Sequence, residues 1–152
     1  MAITVLSIGK KHEGWVTDGI ERYQKRLRAP FNVEWVLLPH SSFEGSRARE
    51  EESGRIISRL NPDHYVILLD ERGKELTSPA LSEHLAACFT ASRPVVFIIG
   101  GAYGVDDTVR QRANFTLSLS PLVFPRHLVR LIITEQIYRA QQISAGSSYH
   151  HE

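Results

Sequence analysis

The run "PVVFIIG" (94–100) has no polar residue between its apolar ones, and this restricts the fold more than any other feature of the chain. A strand with one face in water alternates polar and apolar residues. One that does not alternate is buried on both faces, which points to a parallel sheet covered by helices on each side. "ITVLSIG" (3–9) and "YVILLD" (65–70) share this character. "VEWVLLP" (33–39), stopped by Pro39, and the short "FTLSLS" (115–120) complete five predicted strands. Helical spacing falls between and after them, at 15–27, 47–60, 79–89, 105–113 and 127–145. Strand and helix therefore alternate five times. This predicts one α/β domain over 1–152: a mainly parallel sheet, helices on both faces and right-handed crossovers. No internal repeat, low-complexity tract or linker divides it.

At 152 residues and 42% hydrophobic, the chain is long enough to bury a core of its own. Eighteen basic and 17 acidic residues leave a formal charge of +1, so the whole molecule is no polycation of the kind that coats nucleic acid. A local basic patch is still open to the chain. Cys88 has no second cysteine to pair with, which fits a reducing, cytoplasmic setting, and in "HLAACFT" it reads as a small buried hydrophobe. No run is long enough to span a membrane, and the short apolar start, preceded by no basic segment, reads as a first strand rather than a signal peptide.

Local signals refine the elements. Arg47, Glu51 and Arg55 are four apart and suited to pairing along one helix face. Ser78 is a candidate N-cap with Pro79 in the first turn, Asp106 or Asp107 can cap the helix that follows, and Gly146 ends the last one. "ERGKELTS" after the third strand reads as a turn. In the last helix, Val129, Ile132, Ile133, Ala140 and Ile143 share a side expected to face the core. Arg130, Thr134, Tyr138 and Gln141 fall opposite, with His127 beside them, and Leu128 and Leu131 widen the apolar area enough to meet a second subunit.

Ligands of open parallel sheets bind beyond the carboxyl ends of the strands. That rule selects "LLDERGK" (68–74), "IIGGAYGVDD" (98–107) and "LSPLVFPRH" (119–127). Each has two readings. "GGAYG" is either a tight strand-to-helix turn or a place where a ligand approaches backbone N–H groups. It is not a dinucleotide fingerprint, because it lacks GxGxxG and follows the fourth strand. Asp70 and Glu71 are either a solvated turn or acceptors for a ribose or amine. "SPLVFP" is an apolar loop that either folds on its own core or covers a flat ring or partner chain. The tail "SSYHHE" offers no third ligand at metal spacing, whereas a Tyr can stack on a base and a His can pass a proton near neutral pH. Arg22, Lys25, Arg26 and Arg28 around Tyr23 make a small cationic patch suited to a phosphate backbone.

Together, "IGK" (8–10), "ERYQKRL" (21–27), "LLDERGK", "FIIGGAYG" (97–104), "LSLSPLVFPRHLVR" (117–130), "EQIYRAQQI" and the final "YHH" resemble the bacterial ribosomal RNA large-subunit methyltransferase H family, of the SPOUT class. The resemblance implies a C-terminal trefoil knot, which periodicity alone does not reveal. It also implies a homodimer and S-adenosylmethionine (SAM) bound in the knot. The implied reaction is methylation of N3 of a pseudouridine in helix 69 of 23S rRNA, on assembled ribosomes. The implied cofactor site is Leu69, Gly100 and the loop of Leu119, Ser120, Pro121, Leu122, Val123 and Phe124. SAM carries its own electrophilic methyl, so no metal is expected. Catalytic candidates are Arg130, to stabilise charge on the uracil ring, with Glu135, Tyr149 and His150 to hold the base or take its N3 proton. The tail is expected to wall the cofactor site. RNA contacts are expected at Arg22, Lys25, Arg26, His127 and Arg139, the last with a second role at the dimer.

Two departures from the family pattern stand out. Arg126 occupies the place of the usual His in "Pro-His", with His127 one residue later, and the Pro before the tail Tyr is missing. Competing readings are a SPOUT methyltransferase with another RNA target, a non-catalytic RNA- or ribosome-binding module, and a flavodoxin-like nucleotide binder. The last is disfavoured because no phosphate loop follows the first strand.

Overall fold

A computed structural model describes residues 2–151. The elements are β1 (Ile3–Ile8), α1 (Gly14–Gln24), β2 (Val33–Leu38), α2 (Gly45–Ile57), β3 (Tyr65–Glu75), α3 (Ser78–Thr90), β4 (Val95–Ile99), α4 (Asp107–Arg112), β5 (Phe115–Ser118) and α5 (Arg126–Ser144). All strand pairs are parallel, in the order β2-β1-β4-β3-β5. Alternate residues of β4 supply the two cores. Val95, Phe97 and Ile99 meet Leu85 of α3 with Ile133 and Ile137 of α5. Val96 and Ile98 meet Ile56 of α2 and Val109 of α4. A strand buried on both faces thus has helices on both faces, as its unbroken apolar sequence requires. Each fully buried aliphatic side chain contributes roughly 1.5–3 kcal/mol. Cys88 sits in the first core, its thiol pKa raised by burial.

Three local readings are corrected. The segment expected to turn after Asp70 continues as strand. Beyond an irregularity between Leu69 and Lys74, β3 pairs again with β5, Lys74 opposite Leu117 and Glu75 opposite Ser118. Gly73 permits this, since a Cβ there would lie 2.5 Å from the Thr116 carbonyl oxygen. The α3 cap is Thr77 rather than Ser78, its side chain accepting from the Ala80 N–H at 3.2 Å. The buried stripe of α5 is Arg130, Ile133, Thr134, Ile137, Tyr138 and Ala140. Val129, Ile132 and Ile143 are only half-buried. Hydrophobicity misplaces the stripe because three of its members are polar and find partners inside. Thr134 Oγ1, for example, donates to the Arg130 carbonyl at 2.8 Å.

Other signals are met as expected. Asp106 caps α4, accepting from the N–H groups of Thr108 and Val109. Arg55 pairs with Glu51 at 2.8 Å, while Arg47 instead stacks over Phe43. Gly146, at φ +72°, ends α5.

One path positions the site. β5 lies at the sheet edge beside β3, yet Arg126, which opens α5, lies against Gly9 at the end of β1. Residues 119–125 therefore return over the carboxyl ends of β3 and β4. The knotted threading that the resemblance implies is compatible with this return.

Candidate active site

The returning segment closes a cavity of about 440 Å³ over the strand ends. Leu68 and Leu69 end one wall and Ile99, Gly100 and Gly101 another, with Leu119, Ser120, Leu122, Val123 and Phe124 opposite. Asp70, Arg72 and Arg126 line it as well. The three loops chosen by the strand-end rule are thus one site. Of the eight residues expected to hold a cofactor, all line the cavity except Pro121, which is exposed beside it. The glycines matter through close approach. A Cβ on Gly101 would lie 2.5 Å from Glu52 Oε1, and one on Gly100 would lie 3.1 Å from Val105 Cγ1. The turn closes with Gly104 N–H donating to the Gly101 carbonyl at 3.0 Å, Gly104 taking φ +75°. Across the cavity, Ser120 Oγ accepts from the Leu122 N–H at 3.0 Å and shapes the loop. The Asp70 carboxylate is engaged by Arg72, through Nε at 3.1 Å and Nη2 at 2.9 Å, which holds its pKa down. A site with apolar slots, exposed backbone and this volume suits a nucleoside-sized ligand. Among the described residues, no group of three or more His, Cys, Asp or Glu is placed to hold a metal ion.

Arg130 is fully buried and does not line the cavity. Its Nε donates to Ser7 Oγ at 3.0 Å, Nη1 to the Lys11 carbonyl and His12 Nδ1, and Nη2 to the carbonyls of Ile8 and Gly9. A guanidinium has five N–H donors, and all five are taken. The expected role on the uracil ring is left without a free donor; Arg130 instead pins α5 to the end of β1. Burial first, then the nearby Arg126, bring its pKa down to about 10, so it stays charged at neutral pH.

Glu135, Arg139, Tyr149 and His150 do come together. Glu135 Oε2 accepts from Arg139 Nη2 at 2.7 Å and from the Tyr149 hydroxyl at 2.9 Å. Arg139 Nη1 donates to His150 Nδ1 at 3.1 Å and its guanidinium lies over the Tyr149 ring. Burial, then Glu135, push the Tyr149 phenol up to about 12, so at neutral pH it is a donor and not a base. This cluster does not wall the cavity of its own chain. Tyr149 turns inward instead, its ring edge-on to Tyr138 at 4.9 Å. An α-helix rises about 1.5 Å and turns about 100° per residue, so Glu135 lies about 9 Å along α5 from Val129 and on another side.

Arg22, Lys25 and Arg26 are exposed at the end of α1, while Tyr23 packs inward on Tyr138 and is withdrawn from the patch. His127 is half-buried, its Nε2 3.6 Å from Glu13 Oε1. His12, His84 and His127 all titrate below the ordinary 6.5, burial being the first cause in each and Arg130 the second for His12 and His127. A base whose folded pKa is lowered binds protons more readily unfolded. Its contribution is therefore intact above 6.5 and is lost as pH falls below that value. Asp70, with its lowered carboxyl pKa, acts only near and below 3.8. The thermal midpoint is therefore expected to fall between roughly pH 7 and pH 5, before carboxylates titrate. Scanning calorimetry across that range checks it, and a flat midpoint contradicts it.

Sequence reasoning missed His40 and Glu52. Glu52 is 3% exposed, and its one available signal was position: Ala48, Glu52 and Ile56 are four apart on the buried side of α2.

A cavity over parallel strand ends, roofed by a C-terminal segment that folds back, defines the class. A family profile described as "Predicted SPOUT methyltransferase" matches residues 1–150. Curated relatives carry the name "Ribosomal RNA large subunit methyltransferase H". Those of Desulfitobacterium hafniense and Geobacter metallireducens are each 39% identical, over 158 and 153 residues, covering 99% of both chains. The chain belongs to this methyltransferase H family of the SPOUT class. Two solved structures share the fold: a putative methylase family protein from Neisseria gonorrhoeae and a probable one from Haemophilus influenzae. Their TM-scores are 0.54 and 0.53 at 12% identity, with 99% of this chain covered in each and 86% and 70% of theirs.

Proposed function

We propose that the chain is a SAM-dependent methyltransferase acting on N3 of a pseudouridine in helix 69 of 23S rRNA, on assembled ribosomes in the cytoplasm. The observation that carries this reading is the cavity formed by Leu69, Gly100, Leu119, Ser120, Leu122, Val123 and Phe124 in a member of this family. The name carried by its 39% identical relatives, ribosomal RNA large subunit methyltransferase H, supports rRNA as substrate. The cavity fits the cofactor: backbone groups of Leu119 to Phe124 would hold the adenine, and Leu122 and Phe124 would supply the apolar slot. When bound, SAM supplies an electrophilic methyl.

The chain's own residues then place N3 in line and take its proton. Tyr149, once its hydroxyl is released from Glu135 Oε2 and its ring from Tyr138, is the hydrogen-bond donor and stacking surface for the base. Glu135 is the anionic member of its cluster, and His150, held through Nδ1 by Arg139, takes a proton there only when Arg139 lets go. Arg22, Lys25, Arg26, His127 and Arg139 meet the RNA backbone, His127 as a neutral donor. A homodimer is part of the proposal, because the cluster and the cavity lie on different sides of α5. Setting one protomer's cluster against its partner's cavity unites them. Leu122 and Val123, 69% and 76% exposed at the cavity, support such an interface.

The test is transfer of labelled methyl from SAM to ribosomes lacking the modification, with mass mapping of the product. Label on N3 of the helix 69 pseudouridine is expected. Label elsewhere means a different RNA target. No SAM binding and no label defeats the reading in favour of a non-catalytic module.

A further inference from the structure

We propose that Arg126 is an anion anchor in the lining of the cavity, held in position by His40 and Glu52, and that it receives an oxyanion of the reactants. The inference rests on the reading of the cavity as the cofactor site. The anion is a carboxylate or a phosphodiester, supplied by the cofactor's methionine arm or by the RNA backbone.

The arrangement begins at Glu52. Its carboxylate is buried between α2 and the Gly101 turn, with Oε2 accepting from the Ser41 N–H at 2.9 Å. His40 Nδ1 lies 4.0 Å from that same oxygen. On the far side of the imidazole, Arg126 Nη2 donates to His40 Nε2 at 2.9 Å. A guanidinium cannot accept, so Nε2 must carry the lone pair and, in the neutral ring, Nδ1 carries the proton and points toward Glu52. Carboxylate, imidazole and guanidinium stand in series, and their polarity fixes the direction of Arg126.

This leaves a demand that no described residue meets. Arg126 Nε is buried without an acceptor, which a charged donor tolerates poorly. A second guanidinium crowds the same corner: a Cβ on Gly9 would lie 3.0 Å from Arg126 Nε and 3.1 Å from Arg130 Nη2. Arg130 has its pKa lowered partly by Arg126. Glu52 answers these two charges only through His40. The α5 end that Arg126 opens has no side-chain cap either. An incoming oxyanion at the cavity would bring the counter-charge that relieves the repulsion, and a turn of the Arg126 side chain toward it would give the Nε N–H, now closed to solvent, its acceptor. The fork geometry of an arginine suits carboxylate and phosphate alike.

The experiment measures SAM affinity by calorimetry and ribosome KM and kcat by methyl transfer, for Arg126→Ala, Arg126→Lys, His40→Ala and the Arg126→Ala/His40→Ala pair. Thermal midpoints check that each is folded, and His40, half-exposed, serves as the milder variant. Arg126→Ala is expected to weaken one binding step about tenfold. Arg126→Lys should recover only part of it, and His40→Ala should weaken the same step a few-fold with no further effect in the double variant. A loss in SAM affinity identifies the carboxylate. A rise in ribosome KM with SAM affinity intact and a shallower salt dependence identifies the phosphodiester. Wild-type affinity and KM in Arg126→Ala overturn the anchor, and an undiminished His40→Ala effect in the double variant overturns the relay. A wild-type protein that neither binds SAM nor methylates ribosomes would instead overturn the cavity reading.

Discussion

Replacing Arg130 with methionine is expected to lower the thermal midpoint by roughly 10 °C. Two effects oppose each other. The buried guanidinium, its pKa brought down from 12.5 to about 10, carries a desolvation and like-charge cost on the order of 3 kcal/mol that the substitution removes. Against this, Ser7 Oγ, His12 Nδ1 and the carbonyls of Ile8, Gly9 and Lys11 each lose a donor. Each such loss in a dry site costs about 1–3 kcal/mol. Five losses outweigh the relief, leaving a net loss of about 3 kcal/mol, which at this chain length is roughly 10 °C. Circular dichroism at neutral pH measures it. A drop of less than about 2 °C would show that Arg130 does not hold α5 to β1.

Glu135→Gln should reduce kcat about a hundredfold while leaving SAM affinity unchanged. The amide keeps the shape and can still accept from Arg139 and Tyr149, so the cluster should stay assembled; what is lost is the negative charge. A lowered SAM affinity would place Glu135 in the cofactor site, and an unchanged kcat would remove it from catalysis. The proposed dimer sharpens the test. Gly101→Val fills the approach to Glu52 and disables the cavity, where a Cβ already meets Oε1 at 2.5 Å. If the site is shared, mixing Glu135→Gln with Gly101→Val restores activity, since one of the two sites in the mixed dimer has both an intact cavity and an intact cluster. Persistent inactivity of a verified mixed dimer argues against a shared site.

Burial pattern and strand-end chemistry were legible because both are local. "PVVFIIG" has no polar side to offer water, so it had to lie in a sheet covered twice, and Val95, Phe97 and Ile99 against Val96 and Ile98 divide as that requires. The loops after β3, β4 and β5 followed from the rule for ligands of parallel sheets, and seven of the eight residues named for the cofactor line one cavity. The sequence stopped short where an element's place depends on a distant partner. Residues 71–75 read as a turn because their extended pairing is with β5, some forty positions later. The α5 stripe was misread because Arg130, Thr134 and Tyr138 are polar by composition and buried by partnership.

The sequence by itself determined the alternating α/β order, the two-sided sheet and the three loops that make the cavity, since hydrophobic burial and chain direction are written residue by residue. Only the tertiary structure decided that Arg130 is a buried clasp and that Tyr149 folds onto Tyr138 and Glu135 rather than across its own cavity. It alone joined Glu52 and His40 to Arg126. Those outcomes depend on which hydrogen-bond donor meets which acceptor across more than a hundred residues of chain for Arg130, and on how far α5 has turned between one site and the next.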